Sequence, residues 1–184
     1  MEYQLAFVTA AVWTALETLA KDVWVGAVNA FPEPLARYAL NVQGEGIRGS
    51  ESKSIKATWL GKYGFDLRDC MGILLADDEA RFRFNSPDQI VKAYRSIFKG
   101  SKETDQMWAY IKRDLNLLNL SRNLIAHRAG IVDERFNRQA KLNLPVGERL
   151  PINTQNVHDF AGVAVLAGCE LLALSDAYLD DLLS

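Results

Sequence analysis

The sequence is poor in the residues that build disulfide frameworks and metal centres. Its 184 residues include two cysteines, Cys70 and Cys169, and two histidines, His127 and His158. Two thiols are too few to stabilise a domain by a framework of disulfide bonds, so we expect a reducing, cytoplasmic environment. No cysteine or histidine pair has the spacing of a metal site. The sequence therefore predicts no metal and no cofactor.

Long apolar runs and an excess of charge are also missing. The longest uncharged stretch near the N-terminus, residues 3–16, covers 14 residues, fewer than the ~18 of a membrane-spanning helix, and no signal-peptide pattern is seen there. We therefore expect a soluble protein without membrane association.

Basic residues number 21 and acidic residues 23, a net charge of −2. This balance excludes a generally basic surface for nucleic acid, so any contact with RNA must be local.

The sequence does have strong helical periodicity. Hydrophobic residues make up 49% of the chain and charged residues 24%, as in an ordinary globular domain. Apolar steps of three and four, together with cap and stop signals, predict helices over about 3–29, 51–60, 68–80, 87–99, 105–128 and 154–182. Residues 44–50 have loop chemistry, and 142–152 predict an extended turn or a short hairpin. We predict an all-α bundle of four to five helices with short irregular connections, forming one domain over residues 1–184.

Basic charge is concentrated around one predicted helix. Residues 101–142 contain eight basic and five acidic residues, a net charge of +3, whereas 143–184 contain one basic and six acidic, a net charge of −5. In helix 105–128, Arg122 falls within an apolar stripe made by Ile111, Leu115, Leu118 and Ile125. A guanidinium at such a position is costly unless it is paired or lines an interface or cavity. Arg122 is therefore a candidate functional residue.

Asn123 and His127 follow on a polar line of the same helix, four residues apart. Arg122 and His127 are separated by about 140° of rotation and about 7.5 Å of rise, so they do not share a face. The long arginine stem, or a second subunit across a two-fold axis, can bring them together. Imidazole can move protons at a ribose 2′-hydroxyl or a leaving oxygen, while guanidinium stabilises charge at phosphorus.

The segment SRNLIAHRAGIVD, residues 121–133, resembles the signature of the HEPN superfamily. That signature is an arginine, a polar residue, a few apolar or small residues and a histidine, late in a long helix. The following glycine, acidic residue, polar connection and long last helix also fit the family. The resemblance covers the last 80 residues well and the first 100 only through helix content. It implies a HEPN-like, all-α homodimer.

The resemblance also implies a function. HEPN proteins include metal-independent endoribonucleases of toxin–antitoxin and antiviral defence systems, which leave a 2′,3′-cyclic phosphate after attack by the 2′-hydroxyl. Carried over by position, Arg122 and His127 would be catalytic, and Asn123 and Arg128 would bind the RNA substrate. A separately encoded antitoxin of the nucleotidyltransferase type would be a further partner.

Other interpretations fit the same residues. Arg122 could pair with an acidic residue of the last helix, such as Asp159 or Glu170, and be architectural. A HEPN-like fold could bind RNA or a nucleotide without cleaving it. A third alternative is a helical interaction protein, in which the apolar stripe serves only to dimerise or to engage a partner.

Overall fold

A computed structural model describes residues 2–40, 61–62, 64, 66–67, 69–77, 82–98 and 102–183. Its helices are α1 Glu2–Ala30, α2 Pro32–Leu40, α3 Met71–Ala76, α4 Pro87–Arg95, α5 Lys102–Arg128, α6 Glu134–Ala140 and α7 Thr154–Leu183. Within these residues the extended pairing is limited to an isolated antiparallel bridge between Ile131 and Arg149. The predicted all-α class is confirmed.

The capping signals explain where several helices begin. Ser86 caps α4, because its Oγ accepts a hydrogen bond from the Gln89 backbone N–H at 3.4 Å. Asn153 and Asn156 cap α7 reciprocally, each side-chain oxygen accepting from the other residue's backbone N–H at 2.9 and 3.0 Å. The predicted helix 87–99 is shorter than expected, since α4 ends at Arg95.

Two helices were not predicted. The first, α2, begins at Pro32, whose fixed φ suits a first helical turn. The second, α6, is capped by Asp133, whose Oδ1 accepts from the Phe136 backbone N–H at 2.7 Å. Within the predicted helix 68–80, α3 covers Met71–Ala76, and residues 68 and 78–80 lie outside the described residues. The predicted helix 51–60 and loop 44–50 lie outside the described residues.

The chain divides into two compact units, residues 1–19 with 101–171 and residues 20–100 with 172–184. In the second unit, the buried Trp24 donates from Nε1 to the Ala93 carbonyl at 3.0 Å. The buried Tyr94 hydroxyl donates to the Ala20 carbonyl at 2.9 Å. The first unit buries Trp13, Ile111, Leu115, Leu118, Ala167 and Leu171. The first unit also carries all of the predicted site residues. That residues 1–184 form a single domain stays a prediction.

Helix α7 bears on membrane association. Among the described residues it alone is long and apolar enough to cross a membrane, and 33% of its most apolar stretch is buried in the protein. A core helix of a soluble protein meets the same criterion. The cytoplasmic location and the absence of membrane association therefore stay predictions.

Candidate functional site

The C-terminal end of α5 is held by a small apolar cluster. Leu124 of α5 packs with Val132 and with Phe136 of α6, and all three side chains are buried. Ala129 and Gly130 both adopt left-handed backbone conformations, with φ of 52° and 76°. Glycine adopts this conformation readily, whereas alanine rarely does. This turn stops α5 directly after His127 and Arg128.

A returning segment fixes the chain after α5. The Val132 N–H donates to the Glu148 carbonyl at 2.8 Å, and the Gly147 N–H donates to the Val132 carbonyl at 2.9 Å. The Leu150 N–H donates to the Gly130 carbonyl at 2.8 Å. We expected residues 142–152 to form an extended turn or a short hairpin. Arg149 of this stretch pairs with Ile131, in the segment before α6. The loop and α6 thus form a rigid wall beside the end of α5.

A cavity of about 350 Å³ opens between α5 and α6. It is lined by Leu120, Asn123, Leu124, His127, Arg128, Asp133, Arg135, Phe136 and Gln139. Three of the four predicted site residues therefore meet at one concavity. The apolar cluster forms part of the cavity wall, so the polar groups are positioned by packed rather than mobile structure.

The His127 side chain is exposed. Its imidazole makes no hydrogen bond or ion pair with any residue that the structure describes. A structural histidine is commonly held by a carbonyl or carboxylate, and His127 is not held in that way. The imidazole is therefore accessible to a ligand.

Two arginines give the cavity a positive balance. Arg128 Nη2 lies 3.4 Å from Asp133 Oδ2, and the other carboxylate oxygen of Asp133 caps α6. Arg135 is exposed and, in the described part of the chain, pairs with no carboxylate. The described lining thus carries two guanidinium groups and one carboxylate, a positive balance that favours an anionic ligand.

Arg122, the fourth predicted site residue, does not line this cavity. Its Nη1 donates to Asn123 Oδ1 at 2.9 Å, and its Nη2 lies 3.9 Å from Glu17 Oε2 of α1. The same Glu17 oxygen accepts from Trp13 Nε1 at 3.0 Å. Asn123 in turn donates from Nδ2 to the buried Asn119 Oδ1 at 3.3 Å. Asn123 therefore connects the arginine to the histidine cavity.

The alternative interpretation of Arg122 as an architectural residue named Asp159 or Glu170 of the last helix as possible partners. The carboxylate that approaches the guanidinium is instead Glu17 of α1. Sequence reasoning missed Glu17 because it lies far from the motif along the chain. Its only local signal is the four-residue spacing from Trp13, which places the two side chains on one helical face.

The remaining histidine is a surface group. His158 is exposed, with Nδ1 3.8 Å from Asp159 Oδ1. Across the described ranges no group of three histidine, cysteine, aspartate or glutamate side chains could hold a metal ion. Activity without metal stays a prediction that chelation can test.

Comparison of the chain with protein-family models, with curated proteins and with solved structures finds no match.

Proposed function

We propose that the protein is a HEPN-type, metal-independent endoribonuclease that acts as a cytoplasmic homodimer in a toxin–antitoxin or antiviral defence setting. The observation that carries this proposal is the exposed His127 imidazole, which has no partner among the described residues. It lies in a cavity that it shares with Arg128, Arg135 and Asn123. Metal-independent RNA cleavage requires a side chain that transfers protons and cationic side chains that bind the phosphate, and both kinds line this cavity.

The proposed reaction needs only the protein, its substrate and water. His127 accepts the proton of a ribose 2′-hydroxyl, and that oxygen attacks the adjacent phosphorus. The bond from phosphorus to the 5′ oxygen breaks, and the leaving oxygen takes a proton from an imidazolium or from water. The products carry a 2′,3′-cyclic phosphate and a 5′-hydroxyl. Arg128 and Arg135 bind the phosphates, and Asn123 orients the substrate.

Arg122 would stabilise the charge that develops at phosphorus. Because about 140° of helix rotation separates it from His127, it does not reach the His127 cavity of its own subunit in the present geometry. Two copies related by a two-fold axis would place the arginine of one beside the histidine of the other. The proposed active site thus needs residues of both subunits of the homodimer. An antitoxin of the nucleotidyltransferase type would inhibit it.

A second candidate function is an RNA- or nucleotide-binding module without catalysis. The ion pair of Arg122 with Glu17 favours it, since the carboxylate partly neutralises a guanidinium that does not line the cavity. In this case Arg128 and Arg135 still bind phosphate, and His127 contributes a hydrogen bond rather than a proton transfer.

Analysis of the cleavage ends tests the proposal. Purified protein is incubated with a single-stranded RNA and with the same sequence carrying 2′-O-methyl groups. We expect fragments ending in 2′,3′-cyclic phosphate from the RNA and no fragments from the methylated strand. Equal cleavage of both strands, or 3′-hydroxyl ends, would rule out attack by the 2′-hydroxyl. Binding of both strands without cleavage would favour the second candidate.

A further inference from the structure

A second, larger cavity lies in the first unit, away from the proposed active site. Its volume is about 540 Å³, within the usual range of small-molecule sites. It runs between the start of α1, the end of α5 and the segment before α7. None of the four predicted site residues lines it. On an ideal helix Ile125, which does line it, points about 160° away from His127.

The lining of this cavity is mainly apolar. It includes Ala6, Phe7 and Ala10 of α1, Ile125 of α5, and Leu150 and Ile152. Small side chains on α1 leave a hollow where larger ones would fill the space. The aromatic rim is open to solvent, because Tyr3 and Phe7 are each 72% exposed. A ligand with an apolar body would cover these rings and fill the hollow.

Among the described residues that line the cavity, Arg149 alone carries a charge. Its Cζ lies 4.6 Å from the centroid of the Tyr3 ring, and its Nη2 donates to the Tyr3 hydroxyl at 3.2 Å. Within the described residues Arg149 pairs with no carboxylate, so its other N–H donors are available. Its backbone is held by the bridge to Ile131. The cation is therefore presented on a fixed segment at the edge of an apolar hollow.

We propose that this cavity binds a small amphipathic anion, a molecule with an aliphatic or aromatic body and one carboxylate or similar acidic group. The body lies against Ile125, Leu150 and the small residues of α1. The acidic group accepts hydrogen bonds from Arg149 and from the Tyr3 hydroxyl. The ligand in this proposal is a free molecule, because the hollow lies between α1, α5 and the segment before α7 and has the volume of a small-molecule site.

Calorimetric titration of the full chain with sodium decanoate, kept below its micelle concentration, tests this site. We expect saturable binding of one decanoate per chain and weaker binding of neutral decanol. Arg149→Gln should weaken decanoate binding about tenfold or more, the effect of losing a charge-assisted hydrogen bond. The matched control is Arg138→Gln, an exposed arginine on α6 outside the cavity, which should bind as the wild type does.

A second variant tests the apolar part of the cavity. Ala10→Phe fills the hollow and should abolish decanoate binding, whereas Ala109→Phe, at an exposed position of α5, should not. Thermal unfolding shows that each variant is folded, and Arg149→Gln alone tests the site if Ala10→Phe does not fold. Absence of saturable binding, equal binding by Arg149→Gln, or decanol binding as tight as decanoate overturns the proposal. Recruitment to phosphatidylglycerol vesicles that depends on Arg149 would also overturn it, in favour of a membrane surface.

Discussion

Removing the contact between Glu17 and Arg122 tests whether Arg122 has an architectural or a functional role. The two side chains are 27% and 29% exposed, and the charged atoms are 3.9 Å apart. A pair that is this open to water contributes about 0.2 to 1 kcal/mol to stability. Glu17→Gln removes the charge and keeps an acceptor for Trp13 Nε1. A double-mutant cycle of Glu17→Gln with Arg122→Gln should therefore give a coupling energy of about 0.5 to 1 kcal/mol.

Urea unfolding at low and high salt measures this coupling, which should shrink as salt is added. A functional Arg122 also predicts that Glu17→Gln binds RNA more tightly, because the carboxylate no longer competes with phosphate. The control is Asp114→Asn, which removes an exposed charge of α5 without touching Arg122. A coupling energy above about 3 kcal/mol would mean a desolvated, structural pair. RNA affinity equal in Glu17→Gln and Asp114→Asn would assign Arg122 to architecture.

Three further predictions concern assembly, metals and alkaline pH. Light scattering at micromolar concentration should give the mass of a dimer, and a monomer mass independent of concentration would contradict the composite site. RNA cleavage should survive EDTA, and loss that magnesium or manganese restores would overturn the metal-independent mechanism. Burial raises the pKa of Tyr94 above its ordinary value of about 10. The unfolded chain therefore releases the Tyr94 proton at a lower pH than the folded chain does. The free energy of unfolding should fall above about pH 10, and that of Tyr94→Phe should fall less steeply.

Local signals were readable in the sequence and long-range contacts were not. The Ser86 cap involves residues three apart, so the start of α4 follows from four adjacent positions. The Asp133 cap is equally local, but α6 is only seven residues long and shows too little periodicity to be recognised. The shared cavity of Asn123 and His127 follows from their spacing on one helix.

The missed features depend on pairs that are distant along the chain. Glu17 approaches Arg122, and Glu148 pairs with Val132, only because tertiary packing brings the segments together. Helical periodicity placed Arg122 in an apolar stripe, and the half-buried, paired guanidinium agrees with that position. Its acidic partner could not be chosen from the sequence, since several carboxylates satisfy the same charge requirement.

The most direct test of the proposed function compares the two histidines of the chain. His127 is exposed and makes no hydrogen bond to any described residue, so His127→Ala should change the free energy of unfolding by less than about 0.5 kcal/mol. It removes the proton-transfer group and should slow RNA cleavage about a hundred- to ten-thousand-fold, with RNA binding largely retained. His158→Ala, at an exposed histidine of α7, should cleave RNA at the wild-type rate. If His127→Ala also cleaves at that rate, in preparations free of contaminating nuclease, His127 is not the catalytic group and the account is wrong.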